Sequence, residues 1–138
     1  AANQKRVTVT KLQKAISVIN QAYRLSYEEN GDVNAEEAKA LGAEDYFKKY
    51  WEPYIKLHTL CKTYQMCGYK SQTPFKYSNG SASGMNFIHI NRIEFLTMDG
   101  FLYIIATAGG DKNDAMKELF VDINGGHGPN KFGRDVFV

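Results

Sequence analysis

Residues 121–137 read VDINGGHGPNKFGRDVF. A short β-type run breaks here into a turn-rich loop. Asp122, Asn124, Asn130 and Asp135 sit among Gly125, Gly126, Gly128, Pro129 and Gly133, and the stretch closes on Val136 and Phe137. Glycine tolerates positive φ, proline fixes φ near −65°, and Asn and Asp side chains bond back to nearby backbone. A segment this dense in such residues encodes a defined loop.

Working back from that loop, residues 117–123 read as a strand. Leu119, Val121 and Ile123 fall on one face, and Phe120 and Asp122 on the other. Residues 101–106 and 92–97 read as two more strands, joined by a turn at Met98-Asp99-Gly100. His89 and Asn91 alternate with Ile88 and Ile90 just before them. Three strands with short connections make an antiparallel meander that needs a cover on one face.

The cover is expected from residues 5–29. Leu12, Ile16, Ile19, Tyr23 and Tyr27 recur at steps of three and four, which is one stripe of a helix, with Ala15 and Ala22 flanking it. Leu12, Ile16, Ile19 and Tyr23 are the residues expected to join helix to sheet. Val7, Thr8, Val9 and Thr10 are poor helix formers alone and suit a longer helix that already runs through them. Asn30-Gly31-Asp32 ends the helix. A short helix over 35–41, stopped by Gly42, and a further helical stretch over 44–58 that Pro53 ends or kinks near Trp51 are expected next. Residues 68–86 read as loop, with a turn at Asn79-Gly80 that also forms the sequon Asn79-Gly80-Ser81; the turn already explains it. The fold class is α+β, in one domain over 1–138: a helix (5–29), a variable helix-and-loop region (32–86) and a meander with its C-terminal loop (87–138).

Bulk composition narrows the function. With 43% apolar residues in 138, the chain can bury one core. A net charge of +2 with no dense Lys/Arg run argues against a nucleic-acid partner. No GxSxG, HExxH, phosphate loop or dinucleotide fingerprint is present. His58, His89 and His127 lie in different segments, so no enzyme is expected. Cys61 and Cys67 are expected to form a disulfide in an exported domain; two independent buried thiols and a zinc site with His58 are the competing readings. Asp122, Asn124, Asn130 and Asp135 are expected to satisfy the loop's own amides, with oxygen donation to a calcium ion as the competing reading.

A long N-terminal helix, a variable middle, a meander and a terminal DxNGxxGPNxxGxDxF loop resemble the type IV pilins and the pseudopilins of type II secretion. The matching residues are Asp122, Asn124, Gly125, Gly128, Pro129, Asn130, Gly133, Asp135 and Phe137. Leu96-Thr97-Met98-Asp99-Gly100 is similar to the family's LxDG segment, and residues 5–31 to the C-terminal half of its helix. The resemblance implies a major or minor structural subunit of a helical filament. Its partners would be other copies of itself or related subunits, the inner-membrane assembly machinery, and the membrane through an apolar N-terminal segment that this chain lacks. The location would be a cell-surface pilus or a periplasmic pseudopilus. The resemblance also raises a calcium site at Asp122, Asn124 and Asp135. The alternative function is a secreted binding module with Trp51, Tyr54 or Tyr64 as its aromatic platform.

Overall fold

The computed structural model describes residues 2–32, 35–77, 79–81, 83, 92–107, 116–125 and 136–137. Helix α1 spans Ala2–Asn30 and helix α2 spans Ala35–Tyr50. Strands β1 (Leu57–Leu60), β2 (Arg92–Thr97), β3 (Leu102–Thr107), β4 (Met116–Asp122) and β5 (Val136–Phe137) follow, with 3-10 turns at Glu52–Tyr54 and Gln65–Cys67. The five strands form one antiparallel sheet in the order β1-β2-β3-β4-β5. An α+β fold with a leading helix and a small meander is therefore what the chain adopts.

Register explains why the sheet holds two cores. Phe95 pairs with Tyr103, Ile104 with Phe120, and Val121 with Phe137. Alternation puts Ile93, Phe95, Tyr103, Ile105 and Val121 on one face, where they pack with Ala15, Ile19 and Ala22 of α1 and Tyr46, Phe47 and Tyr50 of α2. Leu102, Ile104 and Phe120 take the other face and pack with Cys61, Cys67, Tyr69 and Phe75. The meander thus has covers on both faces, where the sequence led us to expect one.

The helical stretch expected over 44–58 ends at Tyr50, beside Trp51, where Pro53 is expected to end or kink it; its last residues are corrected from helix to strand. Pro53 starts a 3-10 turn, and Leu57–Leu60 form an additional edge strand on β2. The short helix over 35–41 is stopped at Gly42 as expected: its φ of 82° and ψ of 165° leave the helical region, and the helix resumes beyond it within α2. Glu37 ties the two halves together, accepting from the Tyr50 hydroxyl at 2.7 Å and pairing with Lys49. Those two donors hold the Glu37 carboxyl below its ordinary value.

The helix-to-sheet contact is also rotated. Ile16 is 46% exposed and Tyr23 47%, while Ala15, Ile19, Ala22 and Ser26 are buried and Leu12 is half-buried. The true stripe lies about 60° round the helix from the expected one, at roughly 100° per residue. Alanine is the reason. A backbone lined by Ala15 and Ala22 approaches the sheet closely enough for the Tyr103 hydroxyl to donate to the Ala15 carbonyl at 2.8 Å. Ile16 or Tyr23 facing the sheet would hold the helix off. Tyr23 packs sideways, against Tyr27 and the Trp51 ring.

Candidate interaction surface

Among the described side chains, none of α1 before Leu12 belongs to the core. From residue 6 to 11 every side chain is exposed except the half-buried Thr8. The first packed residue is Leu12, and the first fully buried one is Ala15. At 29 residues the helix is about 43 Å long, and its side chains from 6 to 11 are largely solvent-facing. Exposed along it are Val7, Val9, Ile16, Tyr23, Leu25 and Tyr27. Val9, Ile16 and Tyr23 are spaced by seven, two turns each, and so share one face. This apolar seam runs beside the buried stripe and continues towards the exposed N-terminal turns. It is the largest arrangement of solvent-facing apolar side chains that any one described element presents.

The segments quoted for the resemblance meet at the body end. The turn after β4 is closed by Gly125 N–H donating to the Asp122 carbonyl at 3.2 Å. Gly125 has φ +60°, and a Cβ there would stand 2.8 Å from the Gly100 carbonyl oxygen and 3.3 Å from Leu96. Leu96, Gly100, Asp122 and Gly125 are thereby brought together, and glycine at 125 is required by both conformation and space. Lys14 of α1 reaches Asp99 in the same β2–β3 turn at 3.4 Å.

Asp122 does not stand open. It is 1% exposed, its Oδ2 accepts from the Tyr69 hydroxyl at 2.7 Å, and its Oδ1 accepts from the Asn124 amide at 3.0 Å. The same hydroxyl lies 2.9 Å from the Gly125 carbonyl. Burial and the neighbouring carboxylate push the Tyr69 phenol well above its ordinary value, which keeps it a donor. Asn124 is half-buried; Asn130, His127 and Asp135 lie outside the described residues. Among the described residues no three His, Cys, Asp or Glu side chains converge. Asp122 and Asn124 thus serve a hydrogen-bonded turn.

Cys61 and Cys67 form a disulfide, with Cα atoms 5.7 Å apart. The sulfurs are buried against the second sheet face, and Tyr69 follows directly after the Gly68 turn. Sequence reasoning missed Tyr69, because nothing local to residue 69 announces a partner at 122. His58 is exposed on β1 beside Thr59, and His89 lies outside the described residues. The aromatics named for a binding platform are used internally. Trp51 is 4% exposed and donates to the Tyr46 hydroxyl at 2.9 Å. Tyr54 donates to Glu29 at 2.7 Å, and Tyr64 packs against the second core.

A family model described as Family of unknown function (DUF6613) matches residues 1–121, and the chain belongs to that family. The match ends just before Asp122, so it takes in α1 and the β2–β3 turn and leaves out the glycine-dense loop. No curated protein and no solved structure matches the chain. No described helix is long and apolar enough to cross a membrane.

Proposed function

We propose that this chain is the globular part of a structural subunit that polymerises through α1, in the manner of type IV pilins and type II secretion pseudopilins. The observation that carries the reading is the long helix α1 with its exposed Val9-Ile16-Tyr23 seam. A helix gains most of its stability from packing an apolar face. A β-branched run such as residues 7–10, exposed on a helix except for the half-buried Thr8, gains little from its own fold. Burying the seam against neighbouring copies is favourable at about 25 cal/mol per Å². Heterologous contacts of this kind propagate into an open helical assembly. The turn cluster of Leu96, Gly100, Asp122 and Gly125, at the positions quoted for the resemblance, is a second support. The disulfide is in keeping with assembly outside the reducing cytosol.

The test is made in the source cell with the natural full-length protein. Val9→Asp with Ile16→Asp is expected to abolish filaments seen by electron microscopy while the subunit stays at normal abundance. The upstream reading frame is expected to encode about twenty apolar residues that stay on the mature subunit. Filaments at the unmodified level, or a cleaved signal peptide in place of that segment, would sink the reading.

A further inference from the structure

Asn79-Gly80-Ser81 is the only Asn-x-Ser or Asn-x-Thr triplet in the chain, and all three residues are exposed. They form the tip of a tight turn. The Gly80 amide donates to the Tyr77 carbonyl at 2.9 Å, and the Tyr77 amide donates to the Ser81 carbonyl at 2.9 Å. Gly80 takes φ +89°. Asn79 and Gly80 suit such a turn by residue type, but the turn itself does not call for a hydroxyl at 81. That hydroxyl is nevertheless engaged. It donates to Asn79 Oδ1 at 2.6 Å, and the Ser81 amide donates to the same oxygen at 2.9 Å. Asn79 Oδ1 is thus held in an Asx turn by the residue two positions on. Asn79 Nδ2 has no hydrogen-bond partner among the described residues.

We propose that Asn79 is the attachment site of an N-linked glycan. An acceptor of this kind needs a side-chain amide and a hydroxyl two residues later, on a surface loop of an exported protein. The turn supplies the first two already paired, with the amide nitrogen left over as the nucleophile. The Cys61–Cys67 disulfide is in keeping with export. The co-reactant is a sugar joined through phosphate to a lipid and presented by a membrane-bound transferase. Nδ2 bonds to the anomeric carbon as that carbon's bond to the phosphate oxygen breaks. The phosphate leaves with the electron pair, and Nδ2 gives up one of its two protons. The position suits an assembling subunit. Phe75 is buried in the core of the second sheet face, and the Ser83 amide donates to its carbonyl at 3.0 Å, so the turn is anchored on that face. Helix α1 covers the other face. A glycan on Asn79 therefore leaves the α1 seam free. The proposal needs export but not polymerisation, and so stands apart from the filament reading.

Protein purified from the source cell tests this. Trypsin cuts after Lys76 and Arg92, so residues 77–92 leave as one peptide. Mass spectrometry is expected to find that peptide heavier by a whole number of sugar residues, and electron-transfer fragmentation to place the sugar on Asn79. Asn79→Gln and Ser81→Ala are each expected to lose the sugar completely. Ser81→Thr keeps the hydroxyl and is expected to retain it, a rescue that a role in the turn alone would not produce. The melting temperature of each variant checks that it is folded. A bare peptide from the unmodified protein, a sugar carried on a serine instead, or undiminished occupancy in Ser81→Ala overturns the proposal. A bare peptide from intact filaments leaves the filament reading standing. A sugar on Asn79 of a protein that never forms filaments removes that reading and leaves this one.

Discussion

The Tyr103 hydroxyl donates to the Ala15 carbonyl across 2.8 Å, joining the middle of the sheet to the middle of the long helix. Ala15 sits in a continuous helix, and the carbonyl's second lone pair takes the tyrosine. Burial pushes the Tyr103 phenol above its ordinary value, so it stays a donor at any pH the fold meets. Tyr103→Phe is expected to lower stability by about 1 kcal/mol, since the carbonyl keeps its place in the helix. Ala15→Leu drives a side chain into the same gap and is expected to cost about 1–3 kcal/mol. Urea unfolding of the two variants gives that order; equal losses would show that the close approach of helix and sheet is not what Ala15 provides.

Glu94 gives the fold a pH dependence. It is 3% exposed on the second sheet face, beside Ile104, and its Oε1 has no hydrogen-bond partner among the described residues. Burial pushes its carboxyl from 4.5 up to about 8, against a smaller opposing pull from Arg92. The folded state therefore holds this proton where the unfolded chain has released it. The contribution is fully present below about 4.5 and is lost as pH rises towards 8, at about 1.4 kcal/mol per pH unit. Glu94→Gln is expected to flatten that slope and to raise the melting temperature at pH 8. A variant with the parent slope would show that Glu94 is not its source.

The legible parts of the fold were those whose signal is local. Alternation gave β2 its bounds and placed Phe120 and Asp122 opposite Val121, as register and packing bear out. Gly42 announced its break by type alone. The helix face was misread because size was taken for burial: Ile16 and Tyr23 are large and exposed, whereas Ala15 and Ala22 are small and lie against the sheet. The β1 edge strand was hidden because Leu57–Leu60 is too short for periodicity to separate it from the helical pattern before it. The Tyr69–Asp122 contact joins positions 53 apart, and a side-chain pair at that separation leaves no pattern in either segment.

That contact has its own measurable cost. Tyr69→Phe removes the phenolic donor from a carboxylate that is almost wholly buried, and a charged acceptor losing such a donor is expected to cost about 1–3 kcal/mol. Cys67→Ser opens the short loop that seats Tyr69, with an expected loss of about 2 kcal/mol. The two act on one unit, so the double variant should lose less than the sum. Additive losses in a double-mutant cycle would separate the disulfide from the Tyr69 anchor.

Ile16 and Ile19 lie three positions apart on α1 and should respond in opposite ways. Ile19 is buried between helix and sheet, so Ile19→Ala leaves a cavity and is expected to cost about 2–5 kcal/mol. Ile16 faces solvent, so Ile16→Ala should change stability by no more than about 0.5 kcal/mol beyond its small propensity effect. Association should show the reverse order. Ile19→Ala, studied where it is still folded, should self-associate like the parent, and Ile16→Ala should associate more weakly. Denaturant unfolding and sedimentation on the same samples separate the two roles. An Ile16 variant that unfolds early yet assembles normally would return that side chain to the core and remove the seam from the assembly surface.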